Sequence, residues 1–346
     1  MNIEIITTPN ETLNETGFGK LQSCNNVLDA LVNKGHFMTL TICKTVEDLE
    51  NVVIRQPALV ILAVKYIVQK NGGKIWLSDY FEKSRINYSG SPRDVLMYDS
   101  NKVLAKSRLR KLGVNTADYF TALDGQFKNE KDLPFSFPLF LKPIDAANGN
   151  GIDDASLVID FPSFEKKVTS LCNLFNAPVL VEKYLAGREF TVSIIDNNKT
   201  GELMMSAIEI VPHKSKGGIR ILGAEVKKTD SEQLLPIPEC NLKNRIKRLA
   251  LDVFIKLEAR DFGRIDIKTD NDGNCFFMEI NLVPGMTFGS SYFPRAFELD
   301  QKEAYHEVME NILNTCLYRA PTLISAFNHV YKTKPHMIGP TIPGRL

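Results

Sequence analysis

The 346-residue sequence lacks long hydrophobic runs and lacks an excess of charge of either sign. No apolar run approaches the roughly 18 residues that mark a membrane-spanning helix, and the first residues do not combine a basic segment with an apolar one. Lysines and arginines number 42 against 41 aspartates and glutamates, which gives a formal net charge of +1. Without a global electric field, neither nucleic acid nor an anionic membrane is expected as a partner. We therefore expect a cytoplasmic protein, and any phosphate site must be local.

Cysteine and histidine are scarce and widely separated. The cysteines are Cys24, Cys43, Cys172, Cys240, Cys275 and Cys316, and the histidines are His36, His213, His306, His329 and His336. No pair has the spacing of zinc ligands, so free thiols are expected rather than disulfides or a zinc site. No pattern in the sequence favours a Ser/His/Asp triad.

The hydrophobic and charged fractions, 44% and 24%, are typical of a globular protein, and the length predicts two or three domains. Within residues 1–90, buried strands are predicted at 3–7 and 57–64, and the apolar spacing of 19–34 predicts a helix. This alternation indicates a small parallel α/β domain. A further helix is predicted over 99–112, capped by Asp99 or Ser100 and ended by Gly113.

The second half of the chain is predicted to be rich in strands. Strands are expected at 139–143, 178–184 and 189–195, and a helix at 242–257. Residues 263–268 and 276–282 form two more strands, joined by a polar turn that contains Asp272-Gly273 and predicts a hairpin. The last 27 residues carry several prolines and are predicted to be an irregular tail.

Three polar residues on this hairpin indicate a metal site. Glu279 and Asn281 are two residues apart and share a face of their strand, and the hairpin can bring Asp266 opposite them. Three oxygen ligands suit Mg²⁺, with Mn²⁺ as an alternative, and the metal would take further ligands from substrate phosphates. Arg264 lies on the same face as Asp266 and could meet a phosphoryl oxygen. The alternative interpretation is a solvated hairpin with charges on its outer face.

Two lysines and a glycine-containing loop suggest phosphate binding. Lys142 ends a strand and is followed by a loop with Gly149 and Gly151, whose backbone N–H groups can approach phosphate oxygens closely. Lys102 offers a second cation. Each feature alone has an ordinary explanation, since small-residue loops are common and most helix lysines face solvent.

In their order along the chain, these segments resemble the ATP-grasp ligases and, among them, the D-alanine–D-alanine ligase family. The resemblance covers residues 88–300 and rests most on Glu182-Lys183-x-x-x-Gly187-x-Glu189-Phe190-Thr191-Val192 and on Glu279-Ile280-Asn281-x-x-Pro284-Gly285-Met286-Thr287. It implies an α/β ATP-grasp fold of three domains, with ATP between the central and C-terminal ones. The predicted divisions are 1–98 (N-terminal domain), 99–186 (central), 187–319 (C-terminal) and 320–346 (tail).

The resemblance also implies roles for individual residues. Lys102, Lys142 and the loop residues Asn148 and Gly149 would contact ATP phosphates. Glu182, Lys183 and Leu185 would border the adenine, and Glu189 would hold the ribose. Arg264 would stabilise the migrating phosphoryl group and the tetrahedral oxyanion. Asp266, Glu279 and Asn281 would bind magnesium. Ser290 would hold the carboxylate of the second amino acid, and Glu15 would receive the ammonium of the first.

The chain departs from the family pattern where the amino acids bind. The segments 8–19 and 64–73 lack the family's serine- and histidine-containing motifs, and a lysine-rich stretch at 214–228 replaces its tyrosine-bearing loop. These departures favour an ATP-dependent carboxylate–amine ligase whose amino acid or amine substrates differ from two D-alanines, and the family suggests a homodimer. Alternatives are the standard dipeptide ligase of cell-wall synthesis, a nucleotide-binding regulatory protein without turnover, and a phosphotransferase that stops at an acyl phosphate.

Overall fold

The N-terminal part alternates strands and helices as the sequence predicts. A computed structural model describes residues 1–9, 17–146, 149–197, 202–214, 218, 220–229 and 231–318. The first elements are β1 (Asn2–Thr7), α1 (Leu21–Val32), β2 (Phe37–Ile42), α2 (Val46–Arg55) and β3 (Leu59–Leu62). The strands pair in parallel in the order β2-β1-β3. Such parallel strands need helical crossovers that cover the sheet, which explains why β1 is buried from its second residue onward and β3 is buried throughout.

A short hairpin and three helices follow this sheet. They are β4 (Tyr66–Val68), β5 (Lys74–Trp76), α3 (Leu77–Lys83), α4 (Arg93–Ser100) and α5 (Lys102–Lys111). The helix predicted over 99–112 was placed with the wrong start, because Asp99 and Ser100 belong to α4. Asn101 breaks the two helices apart with extended backbone, and its side chain accepts a hydrogen bond from the backbone N–H of Leu104. The predicted end is confirmed, since Gly113 follows the helix with a φ of 74°.

The middle of the chain forms a second sheet backed by one helix. Its elements are β6 (Tyr119–Ala122), β7 (Leu139–Pro143), β8 (Leu157–Val158), α6 (Phe161–Phe175) and β9 (Val179–Lys183), with short 3₁₀ turns at Glu130–Asp132 and Asp154–Ser156. The strand order is β6-β9-β7-β8, and neighbouring strands are antiparallel. Phe164, Val168 and Leu171 of α6 pack in one buried cluster with Leu139 and Leu141. The spacing of these three residues, four and then three, is that of one helix face.

The last part is a larger antiparallel sheet with helices packed on it. Its elements are β10 (Glu189–Asn197), β11 (Glu202–Val211), α7 (Ala224–Thr229), β12 (Gln233–Pro236), α8 (Asn241–Lys256), β13 (Phe262–Thr269), β14 (Cys275–Asn281), α9 (Tyr292–Gln301) and α10 (Tyr305–Leu317). The strand order is β12-β11-β10-β13-β14. Ile194 and Ile265 share a buried cluster with Phe254 of α8 and Phe293 of α9. The helices therefore cover one face of the sheet and leave the other for the cleft.

The second and third sheets are held together at two places. Gly187, between β9 and β10, donates its N–H to Thr269 O at 3.0 Å, and a Cβ there would lie 2.3 Å from Thr269 Oγ1. Any larger residue at 187 would therefore push the strands apart. After α5, the backbone also joins β14, because Phe277 donates its N–H to Asn115 O at 2.9 Å.

The expectations about membrane spans, domain boundaries and the tail have different outcomes. Among the residues that the structure describes, no helix combines the length and the hydrophobicity that crossing a bilayer requires. The predicted domain boundaries at 98/99 and 186/187 stay a prediction, although the three larger sheets and the β4–β5 hairpin each lie within one predicted segment. Residues 320–346, predicted to be a tail, lie outside the described residues.

Candidate active site

The β13–β14 hairpin brings the predicted acidic residues together. In its antiparallel register Asp266 lies opposite Glu279, and Arg264 lies opposite Asn281. The turn is closed by Asp270, whose Oδ1 accepts hydrogen bonds from the backbone N–H groups of Asp272 and Asn274. The predicted hairpin is therefore confirmed, and these four side chains lie on one face of it.

A β-bulge changes which side chains of β14 face the cleft. Asp266 pairs with Glu279, but the next residue, Ile267, pairs with Phe277, so that Met278 is an extra residue on its strand. Strict alternation had implied that Met278 points away from Glu279. Instead Met278 lines the same cavity as Glu279, while Phe277 is fully buried in the core.

Asp266 is held by three neighbouring side chains. Arg264 donates to it through two bonds, Nε to Oδ1 at 3.0 Å and Nη2 to Oδ2 at 2.9 Å. Thr191 Oγ1 donates to Oδ1 at 2.6 Å, and Asn281 Nδ2 donates to Oδ2 at 3.3 Å. Burial disfavours the charged guanidinium, but the charge of Asp266, its hydrogen bonds with Arg264 and the charge of Glu279 act together against burial and raise the pKa of Arg264. The arginine is thus a fixed cation at the floor of the cleft.

Glu279 faces a group of cations. Its Oε2 lies 3.3 Å from Lys102 Nζ, which also donates to Ala146 O at 3.0 Å. Burial acts to raise the pKa of Glu279, but the charges of Lys102, Lys227, Lys142 and Arg264 hold it well below its usual range. Glu279 is therefore a carboxylate at neutral pH, as a metal ligand must be.

Glu182 joins two buried lysines. Lys142 Nζ lies 2.7 Å from its Oε2, and Lys106 Nζ lies 2.6 Å from its Oε1. Glu182 is 1% exposed. It lines one of the two cavities described below, and its carboxylate is already paired with the two lysines. Lys106 was missed by the sequence analysis. The available signal was its position four residues after Lys102, on the same face of α5.

The remaining predicted nucleotide contacts surround a cavity that we call the apolar cavity. It has about 690 Å³ of free space. Its lining includes Phe140, Lys142, Ile152, Glu182, Lys183, Leu185, Glu189, Ile221, Lys227, Asp266, Met278 and Glu279. Lys183 is half exposed and pairs with Asp118 at 3.0 Å, and Glu189 pairs with Lys268 at 3.3 Å. The exposed lining is mostly apolar although many of the lining residues are charged, and an apolar space with charged groups at its edge suits a small molecule.

A second space, which we call the polar cavity, adjoins the first. It has about 1020 Å³ of free space. Its lining includes Lys102, Gly149, Ile152, Lys227, Glu232, Arg264, Glu279, Asn281, Gly285, Ser290, Ser291 and Tyr292. Ile152, Lys227 and Glu279 line both cavities. The predicted metal ligand Glu279 therefore stands at their junction.

The wall of the polar cavity at the start of α9 holds side chains that the sequence analysis did not select. Tyr292 OH is hydrogen-bonded to Glu232 Oε1, and Arg264 Cζ lies 5.3 Å from the centre of the Tyr292 ring. Desolvation and the neighbouring Glu232 raise the pKa of Tyr292, so its hydroxyl stays protonated and donates. Ser291 Oγ accepts from Thr287 N at 2.9 Å and fixes the loop on which Ser290 sits.

Some predicted positions lie outside the described residues. Glu15 and Asn148 are among them, as are residues 215–217 of the lysine-rich stretch. Gly149 is among the described residues and has a φ of 74°. A Cβ atom added at this position would lie 3.0 Å from Ala224 N. At the end of the lysine-rich stretch the chain forms α7, which places Lys227 beside both cavities.

The donor chemistry of the hairpin fits a magnesium ion. Asp266, Glu279 and Asn281 offer hard oxygen atoms side by side, which is the ligand type that Mg²⁺ requires. Within the described ranges no group of three or more histidines, cysteines, aspartates and glutamates could hold a metal. The predicted set has only two such residues, and its third ligand is an amide.

Comparison with known proteins places this architecture in a class. The structure of a D-alanine–D-alanine ligase from Bacillus anthracis complexed with ATP superposes with a TM-score of 0.71 at 22% identity, over 92% of this chain and 97% of that one. The chain therefore has the α/β fold of the ATP-grasp type, as predicted.

The sequence comparisons identify the family. The model described as D-ala D-ala ligase C-terminus matches residues 109–314, more than half of the chain, and the protein belongs to this family. The D-alanine–D-alanine ligase of Xanthomonas axonopodis is 27% identical over 80% of this chain and 83% of its own length. That of Trichlorobacter lovleyi is 27% identical over 60% of this chain, and the match spans only 62% of the Trichlorobacter ligase.

Proposed function

We propose that the protein is an ATP-dependent carboxylate–amine ligase that forms an amide bond through an acyl phosphate. The observation that carries this proposal is the junction of the two cavities. At this junction Glu279 pairs with Lys102, and Arg264 forms an ion pair with Asp266. These charged pairs lie between the two cavities, where a nucleotide and a second molecule would meet. A protein that only bound nucleotide would not need the arginine beside the polar cavity.

The apolar cavity suits the nucleoside. Its apolar side chains would cover the adenine, Lys183 and Leu185 would border it, and Glu189 would accept from ribose hydroxyls. Lys102, Lys142 and the backbone of Gly149 would meet the phosphates. Asp266, Glu279 and Asn281 would hold Mg²⁺, or Mn²⁺ in its place, and the metal when bound would neutralise charge on the transferred phosphoryl group.

The reaction would occur in the polar cavity in two steps. A carboxylate oxygen of the first substrate attacks the γ-phosphorus, and the bond to the bridging oxygen breaks to release ADP. The amine of the second substrate, having lost a proton, attacks the acyl carbon. Phosphate then leaves from the tetrahedral intermediate. Arg264 would stabilise negative charge in both steps, and Ser290 would hold the carboxylate of the second substrate.

The substrates are proposed to be a pair other than two D-alanines. Support comes from the altered segments of the sequence and from Glu232 and Tyr292, which add an acidic and an aromatic group to the polar cavity. Standard dipeptide synthesis is the second candidate, because the relatives from Xanthomonas and Trichlorobacter carry that name. The homodimer, the cytoplasmic location and the role of Glu15 stay predictions.

The test measures ADP release across a matrix of amino acids and amines, together with the mass of the product. Release that requires both a carboxylate and an amine, with formation of the corresponding amide, supports ligation. D-Alanyl-D-alanine as the main product would select the second candidate. Tight ATP binding without turnover under every condition would favour a regulatory protein, and a stable acyl phosphate formed without amine would indicate a phosphotransferase.

A further inference from the structure

A buried trio of charges lies behind the apolar cavity. Lys106 of α5 is fully buried, Glu182 of β9 is 1% exposed and Lys142 of β7 is 4% exposed. The two ammonium groups lie 2.6 and 2.7 Å from different oxygens of the one carboxylate. Buried charges are costly unless they are paired, and here one carboxylate is shared by two cations.

Lys106 is fixed from its other side by the third sheet. Its Nζ donates to Phe277 O at 3.0 Å and lies 5.6 Å from the centre of the Phe277 ring. Lys142 and Glu182 line the apolar cavity, but Lys106 lines neither of the two cavities of the site. Lys106 therefore has no route to a bound nucleotide except through its neighbours.

The charge balance of the trio depends on Lys106. Two ammonium groups and one carboxylate carry a net charge of +1. If Lys106 were neutral, Lys142 and Glu182 would form a one-to-one pair with no net charge. Since Lys142 is the member expected to meet phosphate, the attraction that it offers an anion would fall.

We propose that Lys106 is a positioning residue of the nucleotide site, which balances Glu182 from behind so that Lys142 presents an uncompensated positive charge to the ATP phosphates. This inference rests on the proposed function only in requiring that ATP binds in the cleft. Lys106 itself touches no substrate, but the positive charge that Lys142 presents to the phosphates depends on it.

The proposal carries a pH dependence. Desolvation lowers the pKa of Lys106 to about 8, although Glu182 from β9 and Glu279 from β14 act to raise it and Lys142 from β7 acts to lower it. Burial opposes the charges of Lys142 and Glu182 as well. The neighbouring carboxylates, Glu182 first and then Glu279, together nevertheless raise the pKa of Lys142, and Lys106 together with Lys142 lowers the pKa of Glu182. As pH rises through 8, Lys106 is thus the member that loses its charge, and ATP binding weakens.

The experiment measures Mg·ATP binding by calorimetry between about pH 7 and 9.5, a range that brackets this titration, without other substrates. The variants are Lys106→Met, Glu182→Gln and the double variant. Lys106→Met makes the trio neutral and is expected to raise the Kd at pH 7 about tenfold and to flatten its pH profile. The double variant restores a net charge of +1 and is expected to recover most of the lost affinity. Lys243→Met, which removes a buried lysine of α8 that pairs with Asp300 and lines neither cavity, is the matched control.

Each outcome decides the proposal. Wild-type affinity for Lys106→Met, or a double variant that binds no better than Lys106→Met, would overturn it, because a structural role gives no rescue by charge balance. If Lys106→Met does not fold, a wild-type profile that is flat through pH 8 would overturn it. In these cases the proposed ligase function stands. If the wild-type protein binds no ATP, the proposed function fails, and this inference fails with it.

Discussion

The two cavities of the cleft are built in different ways. The apolar cavity and its junction stand on strands β7, β9, β13 and β14, and the charged groups there are already paired: Lys142 with Glu182, Lys102 with Glu279, Lys268 with Glu189. The far wall of the polar cavity consists of the loop after β14 and the start of α9, where Ser290 and Tyr292 lie. Rigid strands hold the part expected to perform chemistry common to the family, while loops hold the part expected to choose the substrates.

This difference predicts how substitutions should behave. A change on the strand-borne side should reduce turnover with every substrate pair. A change on the loop-borne side should alter the KM for one amino acid or amine and leave the KM for ATP as it was. Four variants test whether the two sides differ in this way. The expected effect is largest for Arg264→Met, followed by Glu279→Gln, Ser290→Ala and Tyr292→Phe.

Arg264→Met should have the largest effect. It removes the cation beside the polar cavity and leaves Asp266 with only Thr191 and Asn281 as partners. We expect ADP release to fall roughly 100- to 1000-fold, the usual cost of losing one group that stabilises an oxyanion. The control is Arg295→Met, which removes an arginine of α9 paired with Glu298. An Arg264→Met enzyme with normal turnover would remove this arginine from the chemistry.

Glu279→Gln should come next. The amide keeps the shape but loses the charge opposite Asp266, so we expect turnover to fall about 100-fold and the Mg²⁺ requirement to rise. The measurement is the rate of ADP release as a function of Mg²⁺ concentration. Glu239→Gln, at an exposed carboxylate near α8, is the control. Unchanged magnesium dependence would show that Glu279 is not a ligand.

Ser290→Ala tests the loop-borne side. A hydrogen bond to a substrate carboxylate would be lost, and the KM of the amine-donating substrate should rise about tenfold while the KM for ATP stays constant. Ser163→Ala on α6 serves as the control. A rise in the KM for ATP of the same size would mean that the two sides of the cleft are not independent.

Tyr292→Phe should have the smallest effect. The ring stays over Arg264, but the hydrogen bond to Glu232 is lost. We expect a roughly threefold change in the KM of one amino acid or amine, in keeping with one neutral-to-charged hydrogen bond that water can partly replace. A loss of turnover as large as that of Arg264→Met would assign Tyr292 to the chemistry instead.

The structure is most predictable from the sequence where a regular pattern repeats. The hairpin followed from β-rich residues on either side of Asp272-Gly273, β7 and β9 followed from apolar runs bounded by proline or glycine, and β10 followed from alternation. The pairing of Asp266 with Glu279 came from the same kind of alternation. These features depend on backbone periodicity, which a single sequence records directly.

The features that were missed depend on contacts between distant segments. Lys106 is an ordinary helix lysine until α5 is packed against Glu182 and Phe277, which lie 76 and 171 residues further on. Tyr292 and Glu232 meet across a segment of 60 residues. The boundary between α4 and α5 was misplaced because Asp99, a good capping residue, is used instead to accept from the backbone of Leu282.

The bulge in β14 makes the number of residues in this strand as important as their identity. Phe277 belongs to the core and Glu279 to the cleft, although in an unbroken strand residues two apart would share a side. If the same residues alternated strictly, either the phenyl ring would enter the nucleotide space or the carboxylate would enter the hydrophobic interior. Deleting Met278 would instead place Phe277 and Glu279 next to each other, on opposite faces of a regular strand, and would remove only the extra side chain from the wall of the apolar cavity.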